Sequence, residues 1–282
     1  MTQSRAGSQS FSAFKHRSYF NVLDGLRAVS ILMVLLHHVP HFAPGLIRTL
    51  QDNGRYGVAF FFAISGFLIC TLLLREEEKT GRVDLWKFYG RRALRLLPLY
   101  YTALLIQTIL VFGLKQYSPE NQEIFREKLP AYIFYFSNWP ATALQGPFFC
   151  AWSLAVEEQF YLVFSLLLFW SNRRFVIGAA LAAWCIKVVV YSAFGQIDAG
   201  STLWRVIFSY QEPILLGVLA AFALNHRRCY DALARWLGTP LAPAALGGGL
   251  GAWLCFHSMA GQNAWDAQLL YLLMALIVIG LV

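Results

Sequence analysis

The chain has 282 residues, of which 58% are hydrophobic, 16% aromatic and only 13% charged, with a formal net charge of +8. Soluble domains carry charge on about a quarter of their residues, so this balance excludes an ordinary soluble enzyme and a disordered chain and fits a polytopic membrane protein. The basic excess forms no domain of its own, which argues against a nucleic-acid partner.

Residues 1–20 are polar and lack the apolar core of a cleavable signal peptide, so they read as a cytoplasmic tail ahead of a membrane domain over 21–282. Apolar stretches then follow near 23–43, 56–74, 95–114, 131–139 merging into 149–170, 174–194, 203–224, 237–257 and 267–282. They predict an all-α transmembrane bundle of about eight spans, with 131–136 as a candidate membrane-dipping piece. Counting alternate connections places 16 Lys and Arg residues on the N-terminal side and 6 on the other, with Lys187 inside a span. The positive-inside rule therefore puts the N-terminus in the cytoplasm. The five cysteines are scattered without paired spacing and predict neither a disulfide framework nor a zinc site. The GGGLG run at 247–251 suits close helix packing better than phosphate binding.

In the first stretch, LDGLRAVSILMVLLHHVPH, Arg27 and His38 are 11 residues apart. On a helix they differ by about 20° in azimuth and roughly 16 Å in height, with Asp24 about 40° away. Ionisable groups at membrane depth are costly and mark function. Asp24 and Arg27 also suit a cytoplasmic helix start, and the cluster His37, His38 and His41 also suits an interface. In the second stretch, YGVAFFFAISGFLI, Gly66 would permit close helix approach. FYGRRALRLLP follows, with Arg92 and Arg95 three residues apart and Arg91 beside them. Guanidinium forks match phosphate oxygens, although anionic lipid also explains arginines at such a place. In WSLAVEEQFYL, Glu157 shares a stripe with Ser153 and Tyr161, while Glu158 points 100° away. A carboxylate in apolar surroundings needs a cationic or protonated partner.

Taken together, LDGLRA followed after ten residues by His38, GVAFFFAISGFLI, FYGRRALRLLP and WSLAVEEQFYL resemble the acyltransferase-3 family of integral-membrane acyltransferases, in that family's order. A weaker match, EPILLGVLAAF, follows at 212–222. The resemblance covers roughly residues 20–225. It implies catalytic roles for His38 and Glu157, acyl-CoA contacts from Arg27, Arg92 and Arg95, and support from Asp24, Trp152, Ser153 and Tyr161. It also implies acyl-CoA, with acetyl-CoA the expected donor, as a substrate rather than a bound cofactor, and no metal. The implied acceptor is a hydroxyl of a carbohydrate or glycolipid at the bacterial cell envelope. Two departures stand out: Ala59 occupies a position where the family often has Asp, and about eight spans compare with ten or more in many members, as expected of a truncated protein incomplete at its C-terminus, a fragment or a degenerate member.

The mechanism that follows makes His38 the general base toward the acceptor hydroxyl, an imidazole having an ordinary pKa of about 6.5. Glu157 would orient the ring, as a buried acid does in hydrolase triads. The competing classes are a proton-coupled transporter or exporter using the intramembrane His and Glu, and a catalytically inactive family member. No soluble acceptor-binding domain is apparent in this sequence, so acceptor specificity is expected in the connections 44–55, 115–150 and 195–203 or on a separate protein.

Overall fold

The computed structural model describes residues 11–17, 19–40, 44–140, 143–194, 206, 211–256 and 264–282. His41 and the connection 195–203 lie outside the described residues. Among the described residues the regular structure is helical, with no strand. The helices are α1 (Asn21–His38), α2 (Leu46–Asn53), α3 (Tyr56–Thr80), α4 (Leu85–Thr108), continued by a π turn over Ile109–Gly113, α5 (Pro119–Ile133) and α6 (Ala151–Trp170). After them come α7 (Arg173–Phe194), α8 (Glu212–Asn225), α9 (Arg227–Leu237), α10 (Leu241–Phe256) and α11 (Ala264–Leu281).

Four of these are long and apolar enough to cross a membrane: Tyr56–Thr80, Leu85–Gly113, Ala151–Trp170 and Arg173–Ala193. Three more, Glu212–Asn225, Leu241–Phe256 and Trp265–Leu281, are apolar but shorter. The 131–139 stretch does not merge into the next span, because α5 ends at Ile133 and α6 starts only at Ala151. Helix α5 is itself unexpected from hydropathy. It starts where a capping signal predicts, with Ser118 accepting from the Asn121 N–H at 3.4 Å and Pro119 in the first turn.

The chain divides into two compact units. The first comprises Met1–Arg75, Arg174–Gln196 and Gln211–Val282; the second comprises Glu76–Arg173 and Ile197–Tyr210.

Helix α3, up to Arg75, is the core of the first unit. It is apolar on every side, and Phe60, Ile64, Phe67, Leu73 and Leu74 are all buried, as expected for a helix surrounded by others. Two glycines let α8 meet it backbone to backbone. A Cβ on Gly66 would lie 2.1 Å from the Ile214 carbonyl oxygen, and one on Gly217 would lie 2.1 Å from that of Ala63. Gly57 opens the same path to α1, where a Cβ would meet the Ser30 carbonyl at 2.4 Å. The packing expected of GGGLG is not found: these residues lie in α10, and a Cβ on Gly247, Gly248, Gly249 or Gly251 would meet nothing within 4 Å. Small residues permit close approach, but only the partner's position decides whether it happens.

Residues ahead of α1 also join this core. Phe14 and Phe20 are buried, and the Arg75 guanidinium lies 5.2 Å from each ring while donating to the Phe14 carbonyl at 2.7 Å and to that of Arg17. Farther along, α7 and α8 are tied by an ion pair between Lys187 and Glu212 at 3.1 Å, with side chains 2% and 4% exposed. Gln268 of α11 donates to Glu212 at 3.3 Å and accepts from the Trp184 indole at 2.9 Å.

The second unit is built on an aromatic cluster in which Tyr100, Leu104, Val111, Phe125, Tyr132 and Ala151 are buried together. Tyr89 ties α4 to α6 by hydrogen bonds to the Leu162 carbonyl at 3.2 Å and the Ser165 hydroxyl at 2.5 Å. Arg173 binds Glu77 at 2.9 Å and Glu78 at 3.2 Å.

Removing one partner of a buried ion pair strands the other charge and costs about 3–5 kcal/mol, whereas replacing both is often neutral. Lys187→Met is therefore expected to lower the melting temperature in detergent sharply. Lys187→Met with Glu212→Gln, which keeps an amide for Gln268, is expected to recover most of the loss.

Candidate functional site

Helix α1 carries Asp24, Arg27 and His38, and it runs unbroken from Asn21 to His38. Asp24 and Arg27 form an ion pair at 3.3 Å with both side chains partly exposed, and the Tyr19 hydroxyl donates to the other Asp24 oxygen. His38 is the last helical residue and lies exposed rather than mid-segment. Pro40 accounts for this, since the residue before a proline is driven to extended backbone, and Val39 has ψ 138°.

Its ring is held by its own helix. His38 Nδ1 lies 2.7 Å from the Val34 carbonyl oxygen. A carbonyl only accepts, so Nδ1 carries the hydrogen and the lone pair of the neutral ring is on Nε2. His37 is bound in the same sense, Nδ1 donating to the Gln51 carbonyl at 2.7 Å. Gln51 completes the arrangement from α2: its side-chain amide donates to the Val39 carbonyl at 3.2 Å and the Pro40 carbonyl at 3.4 Å. A short helix in the 44–55 connection thus satisfies carbonyls at the end of α1 that would otherwise be orphaned.

In the second unit, Arg92 and Tyr161 are brought together: the guanidinium lies 3.7 Å from the ring centroid, with Phe88 at 5.6 Å on the same cation. Arg91 pairs with Glu76 at 3.6 Å. Arg95 is exposed. Ser153 bonds back to the Cys150 carbonyl at 3.2 Å. Trp152 and Glu157 are half-buried on α6. Sequence reasoning passed over the neighbouring carboxylate, Glu158. Its Oε1 is buried with no hydrogen-bond partner, and the nearby Arg92 and Glu157 charges act on it. The 100° between the two glutamates was the available signal, since it forces them toward different surroundings. Among the described residues no three His, Cys, Asp or Glu side chains are grouped as a metal site.

The predicted residues therefore fall into two sets. Asp24, Arg27 and His38 belong to the first unit, and Arg92, Arg95, Trp152, Ser153, Glu157 and Tyr161 to the second.

The regular structure of the described residues is helical, with several helices of membrane length, which defines a multi-helix membrane protein. Residues 20–282 match the acyltransferase-3 family, described as an acyltransferase domain, and the chain belongs to that family. It is 33% identical over 237 residues to a Staphylococcus aureus (strain COL) protein provisionally named an O-acetyltransferase, a match covering 75% of this chain and 36% of that protein. It is 36% identical over 224 residues to the O-acetyltransferase OatA of Staphylococcus aureus (strain NCTC 8325), covering 72% of this chain and 34% of OatA. The chain thus spans about a third of the length of these curated relatives. No solved structure matches it significantly.

One further cation shapes the second unit. Lys128 of α5 is buried, 2% exposed, and its amine donates to the Ala143 carbonyl at 3.2 Å and the Gln145 carbonyl at 2.8 Å, pinning part of the α5–α6 connection. Burial pulls its pKa down from 10.5 to about 8. The unfolded chain binds the extra proton between these values, so this residue's contribution to stability rises from pH 8 to 10.5 and is flat below 8. The neutral amine still has two N–H donors for the two carbonyls. The melting-temperature difference between the native chain and Lys128→Met is expected to widen over that interval; a constant difference would contradict the lowered pKa.

Proposed function

We propose that the protein is an integral-membrane O-acyltransferase that moves an acyl group, acetyl the expected one, from cytoplasmic acyl-CoA to a hydroxyl of a carbohydrate or glycolipid of the bacterial envelope. The apolar stretches support about eight spans in the bacterial inner membrane, and the asymmetric placement of basic residues supports a cytoplasmic N-terminus. The observation that carries the reading is the bond from His38 Nδ1 to the Val34 carbonyl at 2.7 Å, because it presents Nε2 as a base on the helix where the family motif falls.

In this mechanism Nε2 of His38 takes the proton of the acceptor hydroxyl as its oxygen attacks the thioester carbonyl. The tetrahedral oxyanion collapses to the ester and expels the CoA thiolate, which takes the proton back from the imidazolium. Glu157 is the family's carboxylate in this reaction, with Trp152, Ser153 and Tyr161 supporting it. Arg27, Arg92 and Arg95 offer contacts to the anionic groups of acyl-CoA. The arginines are not equivalent. Arg27 is paired with Asp24 and Arg92 is stacked on Tyr161, whereas Arg95 is exposed, which favours Arg95 as the phosphate contact.

Purified protein in vesicles is expected to release thiol from acetyl-CoA, and His38→Ala is expected to slow this by about 10²–10⁴-fold, the usual weight of a general base. Native-like turnover in that variant would reject the assignment. Arg95→Ala is expected to raise the KM for acetyl-CoA roughly tenfold with little change in kcat, as loss of uniform binding does. An unchanged KM counts against phosphate contact there.

A further inference from the structure

Helix α9, RRCYDALARWL, gathers its apolar residues on one side, yet none of its residues is buried by the rest of the protein. Trp236 is 82% exposed and Cys229 is exposed, while Tyr230, Leu233 and Leu237 are half-buried. So short a helix is marginal in water on its own and depends on cover for its apolar face. The protein covers one edge of it: the Tyr230 ring meets Phe11 at 5.2 Å and Phe14 at 5.5 Å. The edge that carries Trp236 and Cys229 stays open.

Next to that edge the helix is basic. Arg227 pairs with Asp231 at 3.7 Å, but among the described residues Arg228 and Arg235 meet no carboxylate, and both are exposed. The two differ by about 20° in azimuth and stand roughly 10 Å apart along the axis, with Trp236 about 80–100° round from them. The position of α9 in the chain adds a second constraint. It follows α8 after His226 and precedes α10, whose first residue, Leu241, is 78% exposed, and both neighbours are apolar helices. A helix that joins two apolar helices lies at the edge of the apolar layer they enter. Lys15 is at the same end, its amine 5.9 Å from the Phe11 ring.

We infer that α9 docks on anionic phospholipid: the arc from Arg228 and Arg235 round to Trp236 and Cys229 meets the headgroup layer, each arginine on a lipid phosphate and the indole at the apolar boundary. Indoles and long cationic side chains both settle at that boundary. Guanidinium forks match phosphate oxygens, and a negative membrane surface attracts basic residues beside a membrane helix. A soluble phosphate would satisfy the arginines and leave Trp236 bare. An acidic protein would satisfy both only by standing off the bilayer into which the flanking helices lead. Lipid meets the charge and the apolar edge together. The inference rests on membrane insertion and is independent of acyl transfer.

The test uses the full chain in dodecyl maltoside, its melting temperature followed against dioleoyl-phosphatidylglycerol and dioleoyl-phosphatidylcholine. A ligand that binds the folded state stabilises it saturably. The expected result is a saturable rise that sets in at lower concentration with phosphatidylglycerol. In Arg228→Gln with Arg235→Gln, its half-saturation should move about ten- to thirtyfold higher. Lys79→Gln with Arg82→Gln, which removes two other exposed charges, should keep the native value. No preference for phosphatidylglycerol overturns the inference, and so does an equal shift in the two double variants. Trp236 is read separately in nanodiscs of phosphatidylglycerol brominated close to the acyl carbonyls, from the difference in emission between the native chain and Trp236→Phe. Quenching of that difference relative to unbrominated discs is expected. An unquenched difference puts the edge against water or a soluble partner and overturns docking on the bilayer. Coenzyme A without lipid should give no rise that depends on Arg228 and Arg235; such a rise would assign these arginines to the phosphates of coenzyme A and overturn the lipid site.

Discussion

The first unit depends on the contact of two backbones at the crossing of α3 and α8. Gly66 faces the Ile214 carbonyl and Gly217 faces that of Ala63, each with no room for a methyl group. In a bilayer, apolar side chains gain little by leaving lipid for protein, so helices are held by close van der Waals contact and by polar bonds between them. The crossing provides the first, and the second follows from it. Glu212 opens α8 two residues before the Ile214 carbonyl that meets Gly66, and its carboxylate meets Lys187 and Gln268. At Gly57 the same central helix seats α1, so the stem that bears His38 inherits its position from a helix with no Asp, Glu, Lys, Arg or His between Tyr56 and Leu74.

Much of this was legible in the sequence and some was not. The all-helical class follows from composition and the length of the apolar runs, and Gly66 was rightly read as a contact glycine. The glycines of 247–251 look equally suitable, yet a Cβ on Gly247, Gly248, Gly249 or Gly251 would meet nothing within 4 Å, because a notch closes only where a partner backbone is set against it. Helices α2 and α5 escaped notice because they are polar and short, and hydropathy is silent about them. For α5 the Ser118-Pro119 cap stood in plain sight, whereas the role of α2, folding Gln51 back over the end of α1, is a tertiary fact with no local signature.

The surroundings of the candidate residues were legible only in part. Spacing placed Asp24 near Arg27, and they pair. Spacing also separated Glu157 from Glu158 but gave no measure of which would keep a carboxylate oxygen buried and unbonded. The arginines illustrate the same limit. Arg91, Arg92 and Arg95 are alike in sequence, yet one pairs with Glu76, one stacks on Tyr161 and one is exposed. Those fates depend on α3 and α6, which approach from elsewhere in the chain.

Fixing the His38 proton with a main-chain oxygen has an evolutionary corollary. Where an aspartate orients a catalytic imidazole, a point mutation deletes the orienting group. Here every amino acid at position 34 brings the same carbonyl, so the ring's proton placement is insulated from side-chain drift and is exposed only to changes that unwind the last turn of α1. Under the proposed reaction, lineages descended from this chain are free to remodel the residues beside the imidazole, and with them the alcohols it would serve, without rebuilding the base.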